Sequence, residues 1–370
     1  MKNKDKLIKF TAQIMSVTAL FLAVFIFTDE MLGMGADLAV LSLKMMLPGS
    51  EQEAEVKKET TTLKPAEPEP VTKTEEPVIK TESFAATPKD IAELIEQAKK
   101  TADKDKSGGK IREKQYTNEG VTDKYSLVRM KNMNKTQVSI KDILDKKIDL
   151  SVDKEKPSVL IFHTHTTETY QILDRDFYPE GFKTRTNDKG KNMVRVGEAI
   201  VEEIERAGFK VIHDKEIHDG KYTGAYAKSR ESVESYLKKY PSIQITLDIH
   251  RDAIQDGDGT KVKPVATVEG KKAAQIMIIS GCQEEGNPIT NLPDWRYNLT
   301  FAVHLQEKLE ELFEGITRPL YFCPRSYNMN VTHCSLLVEV GSDSNTLEEA
   351  VYTGKCIGTA LSEILKEYEE

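Results

Sequence analysis

Residues 157–168 read PSVLIFHTHTTE, and this stretch decides the fold. A short apolar run directly after a proline is typical of a buried strand, which we expect over residues 158–162. An amphipathic helix is predicted at 192–207, because apolar residues recur every four positions before Gly208. A second strand is expected at 209–213. A strand, a helix and a strand in this order are typical of a parallel α/β sheet.

The same alternation continues to the end of the chain. Residues 242–250 alternate strictly between apolar and polar side chains, which predicts a strand. The remaining predicted elements are strands at 274–280 and 335–340 and helices at 225–239, 298–314 and 346–368. The sequence therefore predicts an α/β domain with a mixed, mostly parallel sheet and helices on both faces.

The N-terminus has the pattern of a membrane anchor. Residues 10–28 carry no charge and are long enough, at roughly 1.5 Å per residue, nearly to cross a bilayer core. Four lysines precede this stretch and Asp29 follows it, so the positive-inside rule places the N-terminus in the cytoplasm and the rest outside. We predict a cytoplasmic stub and transmembrane anchor at 1–29, with a cleaved signal peptide as the alternative.

Residues 30–115 are predicted to connect the anchor to the folded domain. The first part, 31–48, is apolar enough for a helix on the membrane surface or against a partner's transmembrane helix. Residues 51–89 hold five prolines among Glu, Lys and Thr, and cannot bury enough apolar surface to offset the entropy of ordering. We expect a disordered, semi-rigid linker there, and a catalytic domain at 116–370.

Composition and missing motifs exclude several classes of protein. The net charge of −8 over 370 residues argues against nucleic acid as a partner. No CxxC pair, nucleophile elbow, P-loop or HExxH motif is present. The four cysteines lie in apolar surroundings and are expected to be buried thiols, with one disulfide as the alternative: Cys282, Cys323, Cys334 and Cys356.

Histidines follow two of the predicted strands, where open α/β sheets place their sites. His163 and His165 come directly after the strand 158–162, with Glu168 close behind. A turn there would separate the two histidines, so one of them is expected to bind a metal. His250 ends the strand 242–250, and a neighbouring aspartate, Asp248 or Asp252, would orient its ring. The alternative is that these histidines only form loop hydrogen bonds.

Glu339 lies inside the apolar run of the strand 335–340. A buried, unpaired carboxylate is costly and has a raised pKa, which suits a general base or acid. The alternative is a core glutamate paired with an arginine such as Arg325. Two histidines, a carboxylate and a separate glutamate together suggest a zinc hydrolase.

The segments VLIFHTHTTETY (159–170), TLDIHRDA (246–253) and SLLVEVGSDSNTLEEA (335–350) closely resemble the stage II sporulation protein P family of endospore-forming Gram-positive bacteria. The resemblance covers about 155–370 and includes the predicted anchor and linker. It implies a fold and chemistry related to zinc-dependent N-acetylmuramoyl-L-alanine amidases. The implied activities are cleavage between N-acetylmuramic acid and L-alanine and endopeptidase cleavage of peptide cross-links.

The resemblance also implies a place and partners for the chain. These are the mother-cell membrane during engulfment, with the catalytic domain outside the cytoplasm, and stage II sporulation proteins D and M. The rival hypotheses are a non-catalytic peptidoglycan-binding scaffold that recruits other engulfment proteins, and a tether whose linker is the functional part.

Site residues follow from the resemblance, position by position. It implies that His165 and His250 bind Zn²⁺, with His163 as the alternate for His165, and that Glu339 is the catalytic residue. Typical amidases have a ligand glutamate at the start of the next helix, but residues 187–192 contain none.

Glu168 is close in sequence to His165, and its pairing with the two histidines is part of the resemblance, which implies Glu168 as the third metal ligand, with Asp188 and His163 as its substitutes. Three residues are predicted to hold substrate carboxylates or sugar hydroxyls: Arg251, Arg325 and Tyr327.

Overall fold

An eight-stranded mixed sheet forms the centre of the fold. The computed structural model describes residues 82–284, 286 and 291–370, which lie in one unit that spans Ile79–Glu370. The strands in chain order are β1 (Ser107–Lys114), β2 (Asp123–Tyr125), β3 (Val128–Asn132), β4 (Pro157–Phe162), β5 (Phe177–Pro179), β6 (Lys210–His213), β7 (Ile245–Asp252), β8 (Lys261–Val268), β9 (Lys271–Ala274), β10 (Ile276–Gly281), β11 (Leu320–Cys323) and β12 (Cys334–Ser342). The helices are α1 (Glu82–Ala85), α2 (Lys89–Lys99), α3 (Ile140–Leu144), α4 (Met193–Arg206), α5 (Ala225–Lys239), α6 (Trp295–Leu312) and α7 (Leu347–Glu367).

The order of strands in the large sheet is β2-β3-β11-β10-β12-β7-β4-β6. Its pairs are parallel except β2 with β3 and β10 with β12, so the predicted mixed, mostly parallel sheet is confirmed. A smaller sheet of order β5-β1-β8-β9, which the sequence did not predict, stands beside it.

Strand β4 shows why helices cover both faces of the large sheet. Val159 and Ile161 belong to the main core together with apolar residues of α4, whereas Leu160 and Phe162 pack with Val233 of α5. Alternate side chains of a strand point to opposite faces, so an apolar run without alternation requires cover on both sides. The helix α4 begins at the cap Asn192, whose side chain accepts the Val194 N–H, close to the predicted start.

Residues upstream of position 116 belong to the folded unit. Strand β1 pairs with β8 of the small sheet, and Ile91 of α2 is buried. The Phe84 ring stacks on Phe313 at 5.9 Å, and Lys355 Nζ donates to the Phe84 carbonyl at 3.1 Å. Ile91, Leu94, Ile95 and Ala98 share one face and predict a short helix at 90–101, which α2 confirms. The contacts of this segment with the domain were not predicted, because their partners lie far along the chain.

Within 82–284, 286 and 291–370, no helix has both the length and the apolar character needed to cross a membrane. The predicted anchor at 1–29 and the linker up to residue 81 lie outside the described residues. All four cysteines are buried and free, which agrees with the expectation of buried thiols.

Candidate active site

The chain separates His163 from His165 at the end of β4. His163 continues the strand's alternation, is fully buried, and uses both ring nitrogens: Nδ1 lies 3.0 Å from the Ile249 carbonyl and Nε2 lies 2.9 Å from His213 Nε2. Burial lowers the pKa of His163 to about 4. With both nitrogens occupied, His163 acts as a neutral core residue, and its position does not support the alternate role as a ligand.

His165 lies past the turn and faces a different group of rings. Its imidazole stacks on Tyr222 at 4.9 Å and meets the His250 ring edge-on at 5.2 Å. Both of its ring nitrogens are buried and have no hydrogen-bond partner among the described residues. Burial, with smaller effects from His250 and Arg185, lowers the pKa of His165 to about 3, so the ring is neutral and can donate a lone pair.

His250 is positioned by the strand-end carboxylate two residues before it. Its Nε2 lies 2.8 Å from Asp248 Oδ1, within ion-pair distance. The angle at this contact is poor for a hydrogen bond. Of the two aspartates proposed to orient the ring, Asp248 is thus the one in place. Burial alone would lower the pKa of His250, but Asp248 and then Glu168 and Glu339 raise it to about 9.

Glu168 lies beside His250, as expected for a shared ligand. Its Oε2 is 3.7 Å from His250 Nδ1 and accepts the backbone N–H of Arg251 at 3.3 Å. Its Oε1 is 3.5 Å from the guanidinium of Arg185. Asp188, the fallback ligand, is exposed and pairs with Lys191 at 2.9 Å.

The donor types of His165, His250 and Glu168 are those of an open zinc site. Two buried ring nitrogens without a hydrogen-bond partner in the described part of the chain are costly for His165, and a metal would provide a partner for one of them. No choice of one ligand atom from each of the three residues brings all three atoms within 4.8 Å of one another. Binding an ion therefore requires the three side chains to move closer together. The three residues thus fit zinc by the type of their donor atoms, and their side chains are neighbours.

Another carboxylate cluster is already neutralised by lysines. Within the described part of the chain, ligand atoms of three such groups come within 4.8 Å only at Glu113, Asp174 and Glu349. Lys263 Nζ lies 3.1, 2.6 and 2.7 Å from these carboxylates, and Lys272 pairs with the first two. This cluster ties the small sheet to α7, and we assign no metal to it.

Glu339 faces His250 across neighbouring strands. The two residues are register partners in the parallel pair β12–β7. Glu339 keeps partial exposure, but its Oε2 is buried and has no hydrogen-bond partner among the described residues. Burial, then the carboxylates of Asp252 and Glu168, raise the pKa of Glu339 to about 8, although His250 and Arg318 act against the shift.

The arginine near Glu339 is Arg318 rather than the expected Arg325. Arg318 donates to Asp252 at 3.0 Å and lies at the same strand end. Arg325 is exposed on the loop between β11 and β12 and makes no ion pair with a described carboxylate. Glu339 is therefore not a core glutamate neutralised by Arg325.

The three predicted substrate-binding residues differ in position. Arg251 is buried and donates to the carbonyls of Thr169 at 3.1 Å and Thr184 at 2.8 Å, which fixes the loop that carries Glu168. Tyr327 stacks on Tyr226 at 5.6 Å, and Tyr226 in turn stacks on His250 at 6.4 Å. Tyr327, with exposed Arg325 two residues before it, thus borders the site, whereas Arg251 supports it from behind.

Sequence reasoning missed four residues of the site. Tyr222 and Tyr226 form its aromatic wall, and the Arg185 guanidinium lies over the Tyr222 ring at 5.1 Å. Arg185 also pairs with the buried Asp219, whose carboxylate lies 3.9 Å from His165 Nδ1. Tyr226 lies in the first turn of α5, whereas Tyr222 precedes the helix, so no local spacing signal placed both rings at the site.

Comparison with known proteins agrees with the motifs. The model of the family described as Stage II sporulation protein P matches residues 47–362. Stage II sporulation protein P of Bacillus subtilis (strain 168) is 25% identical over 229 residues, which are 58% of this chain and 53% of the relative. The chain thus spans about half the length of the curated relative it matches.

Two solved structures of amidases resemble this chain only weakly. The CwlD amidase from Clostridioides difficile in complex with the GerS lipoprotein is 14% identical, with a TM-score of 0.35, over 57% of this chain and 98% of that one. The catalytic domain of CwlV, an N-acetylmuramoyl-L-alanine amidase from Bacillus (Paenibacillus) polymyxa var. colistinus, is 11% identical, with a TM-score of 0.32, over 56% and 98%. These TM-scores are too low to carry a conclusion. The family match spans most of the chain, and the chain belongs to the Stage II sporulation protein P family.

Proposed function

We propose that this chain is a zinc-dependent peptidoglycan hydrolase that cleaves the amide between N-acetylmuramic acid and the L-alanine of the stem peptide. One observation carries the proposal. His165, whose two buried ring nitrogens have no hydrogen-bond partner among the described residues, lies against His250, and His250 faces Glu339 across a parallel strand pair. Membership of the sporulation family agrees with a wall substrate.

The roles of the residues follow from their positions. Zinc held by His165, His250 and Glu168 would supply a polarised water and a Lewis acid for the scissile carbonyl. Glu339 accepts the proton of that water at its carboxylate and then gives it to the departing amine nitrogen. Its raised pKa, about 8, lies close to neutral pH, where one group can do both.

The surroundings hold these groups and the substrate. Asp248 keeps the His250 ring oriented so that Nδ1 is turned toward Glu168. Tyr327 borders the site and Arg325 lies two residues before it, and an aromatic face and an exposed guanidinium without an ion pair to a described carboxylate suit the sugar and the peptide carboxylates. Cleavage of peptide cross-links at the same site belongs to the proposal as a second activity.

The proposal extends to place and partners. The chain would be held in the mother-cell membrane by residues 1–29, with the hydrolase facing the septal wall and acting together with stage II sporulation proteins D and M. Pull-down of these two proteins with the full chain, and its loss on removal of residues 1–81, tests this part.

Zinc content and digestion of purified peptidoglycan by the full chain test the activity. We expect about one zinc per chain, and release of stem peptides that stops on chelation and returns with zinc. His165→Ala is expected to lose both zinc and activity, whereas Glu339→Gln keeps zinc and loses activity. His333→Ala is the matched control, because this half-exposed histidine pairs with Asp149. This variant is expected to keep both zinc and activity.

Two outcomes would contradict the proposal. Activity that survives chelation would remove the zinc mechanism. Wall binding without release of any peptide or sugar product, by a zinc-loaded protein, would favour the scaffold hypothesis instead.

A further inference from the structure

We propose that Thr164, Ser229 and Asn328 are positioning residues, which hold Asp248 against His250 and thereby couple the loop between β11 and β12 to the metal site. This inference rests on the proposed function, because it assigns the relay a role toward a bound zinc. It adds residues outside the predicted ligands and connects them to a loop that borders the substrate.

The first link is the double hold of Thr164 on Asp248. The backbone N–H of Thr164 donates to Oδ1 at 2.8 Å, and its hydroxyl donates to Oδ2 at 2.6 Å. Both residues are almost completely buried. A carboxylate fixed through both oxygens cannot rotate, so its 2.8 Å contact with His250 Nε2 keeps one orientation.

The second link runs from Thr164 to the loop. Thr164 Oγ1 lies 2.7 Å from Ser229 Oγ, and Ser229 Oγ lies 3.2 Å from Asn328 Nδ2. Thr164 donates its only hydroxyl proton to Asp248, and Ser229 accepts from the Asn328 NH2 group. The Ser229 hydroxyl has two acceptors within reach, Thr164 Oγ1 at 2.7 Å and the Tyr226 carbonyl at 3.2 Å, and we assign its proton to the shorter contact.

The backbone of the loop supports a positioning role. Tyr327 and Asn328 have φ values of +41° and +57°. These lie in the left-handed region of the backbone, which residues other than glycine rarely adopt. Asn328 Nδ2 also donates to the Tyr226 carbonyl at 2.9 Å. These two bonds hold a strained turn that presses the Tyr327 ring onto Tyr226, next to His250.

One consequence is mutual coupling between substrate and metal. A substrate that contacts the Tyr327 side of the loop bears on Asn328, and through Ser229 and Thr164 on the orientation of His250. Coupling of this kind is reciprocal, so the same bonds that support metal binding also support substrate binding.

Zinc affinity of the full chain, measured by competition with a chromophoric chelator, tests the relay without relying on activity. Thr164→Val, which has the same shape but no hydroxyl, is expected to weaken zinc binding about 10- to 100-fold. Thr164→Ser restores the hydroxyl and should recover wild-type affinity. Thr353→Val is the control, since it deletes an equally buried hydroxyl that donates to the Ala274 and Glu349 carbonyls, away from the site.

Asn328→Gly is the second variant and guards against misfolding. Glycine accepts the left-handed conformation, so the thermal midpoint should hold while zinc affinity falls by about 3- to 10-fold. Because the residues act in series, the double variant with Thr164→Val should bind zinc as weakly as Thr164→Val alone. KM for peptidoglycan should rise in Asn328→Gly by a similar factor.

The relay is overturned if Thr164→Val and Asn328→Gly are folded and bind zinc as tightly as an active wild-type protein. The proposed function would then stand without the relay. Additive losses in the double variant overturn the serial connection as well. A wild-type protein that binds no zinc refutes the proposed function, and with it the role of the relay.

Discussion

Replacing Glu339 with glutamine should abolish hydrolysis. Near pH 8 the same substitution should stabilise the metal-free protein. Burial raises the pKa of Glu339 to about 8, from an ordinary value of 4.5. When the folded-state pKa lies above the unfolded one, the unfolded chain ionises first as pH rises. Metal-free wild-type protein therefore loses stability from about pH 4.5 to pH 8, and this loss disappears in Glu339→Gln.

The size of the effect follows from the pKa difference. A pKa unit corresponds to about 1.4 kcal/mol, so the three units between pH 5 and pH 8 set an upper limit on the order of 4 kcal/mol. Glu339 keeps partial exposure, and water at its exposed oxygen lowers the penalty. We expect the variant to gain about 2 kcal/mol over wild type between pH 5 and pH 8.

The assay is urea unfolding in the presence of chelator at pH 5 and pH 8, which compares free energies of unfolding. Glu311→Gln is the control, because this glutamate lies on the exposed side of α6 with 58% of its side chain accessible. Its pH dependence should match wild type. If the curves for Glu339→Gln and wild type run parallel across this range, the carboxyl is not held protonated by burial, and its assignment as the proton-transferring group loses its physical basis.

Three further substitutions test the packing around the site by urea unfolding. Lys263→Met should cost about 3–5 kcal/mol, because it leaves the buried carboxylate of Glu349 without its cation. Phe84→Ala should cost about 3 kcal/mol and expose residues 82–99 to proteolysis, since its buried ring anchors that segment. Gly197→Ala should cost about 1–3 kcal/mol, because a Cβ there would lie 2.5 Å from His213 Nε2; Gly220→Ala, which meets nothing, is its neutral control.

Five of the eight strands of the large sheet were predictable because they have a clear signature, whereas β2, β3 and β11 were not predicted. The apolar run of β4 and the alternation of β7 are local patterns. β4 lies within one residue of its predicted bounds, and β7 overlaps its predicted range of 242–250 but spans Ile245–Asp252. The small sheet was not predictable from such patterns. Strand β1 reads SGGKIREK, with a single buried residue, Ile111, and it exists only because β5 and β8 supply partners far along the chain.

The same distinction between local and distant information applies to the site. Strand ends predicted His165, His250 and Glu339, and the structure brings these three to one sheet edge. Arg185 and Asp219 lie on loops without periodicity, and their contact with the site depends on tertiary folding alone. Arg251 was predicted from its charge to contact substrate; its guanidinium is buried and donates to backbone carbonyls, and its role toward a substrate stays a prediction.

Strand geometry also explains why two histidines with one residue between them have separate functions. Side chains of a strand alternate, so His163 follows Val159 and Ile161 into the core beneath α4, where only a neutral ring paired with His213 is tolerated. A regular strand would send His165 to the same buried face. The turn after His163 prevents this and delivers His165 to the side of His250. Thr164, at the turn itself, binds Asp248 with both its N–H and its hydroxyl, so the residue that redirects the chain also secures the second histidine.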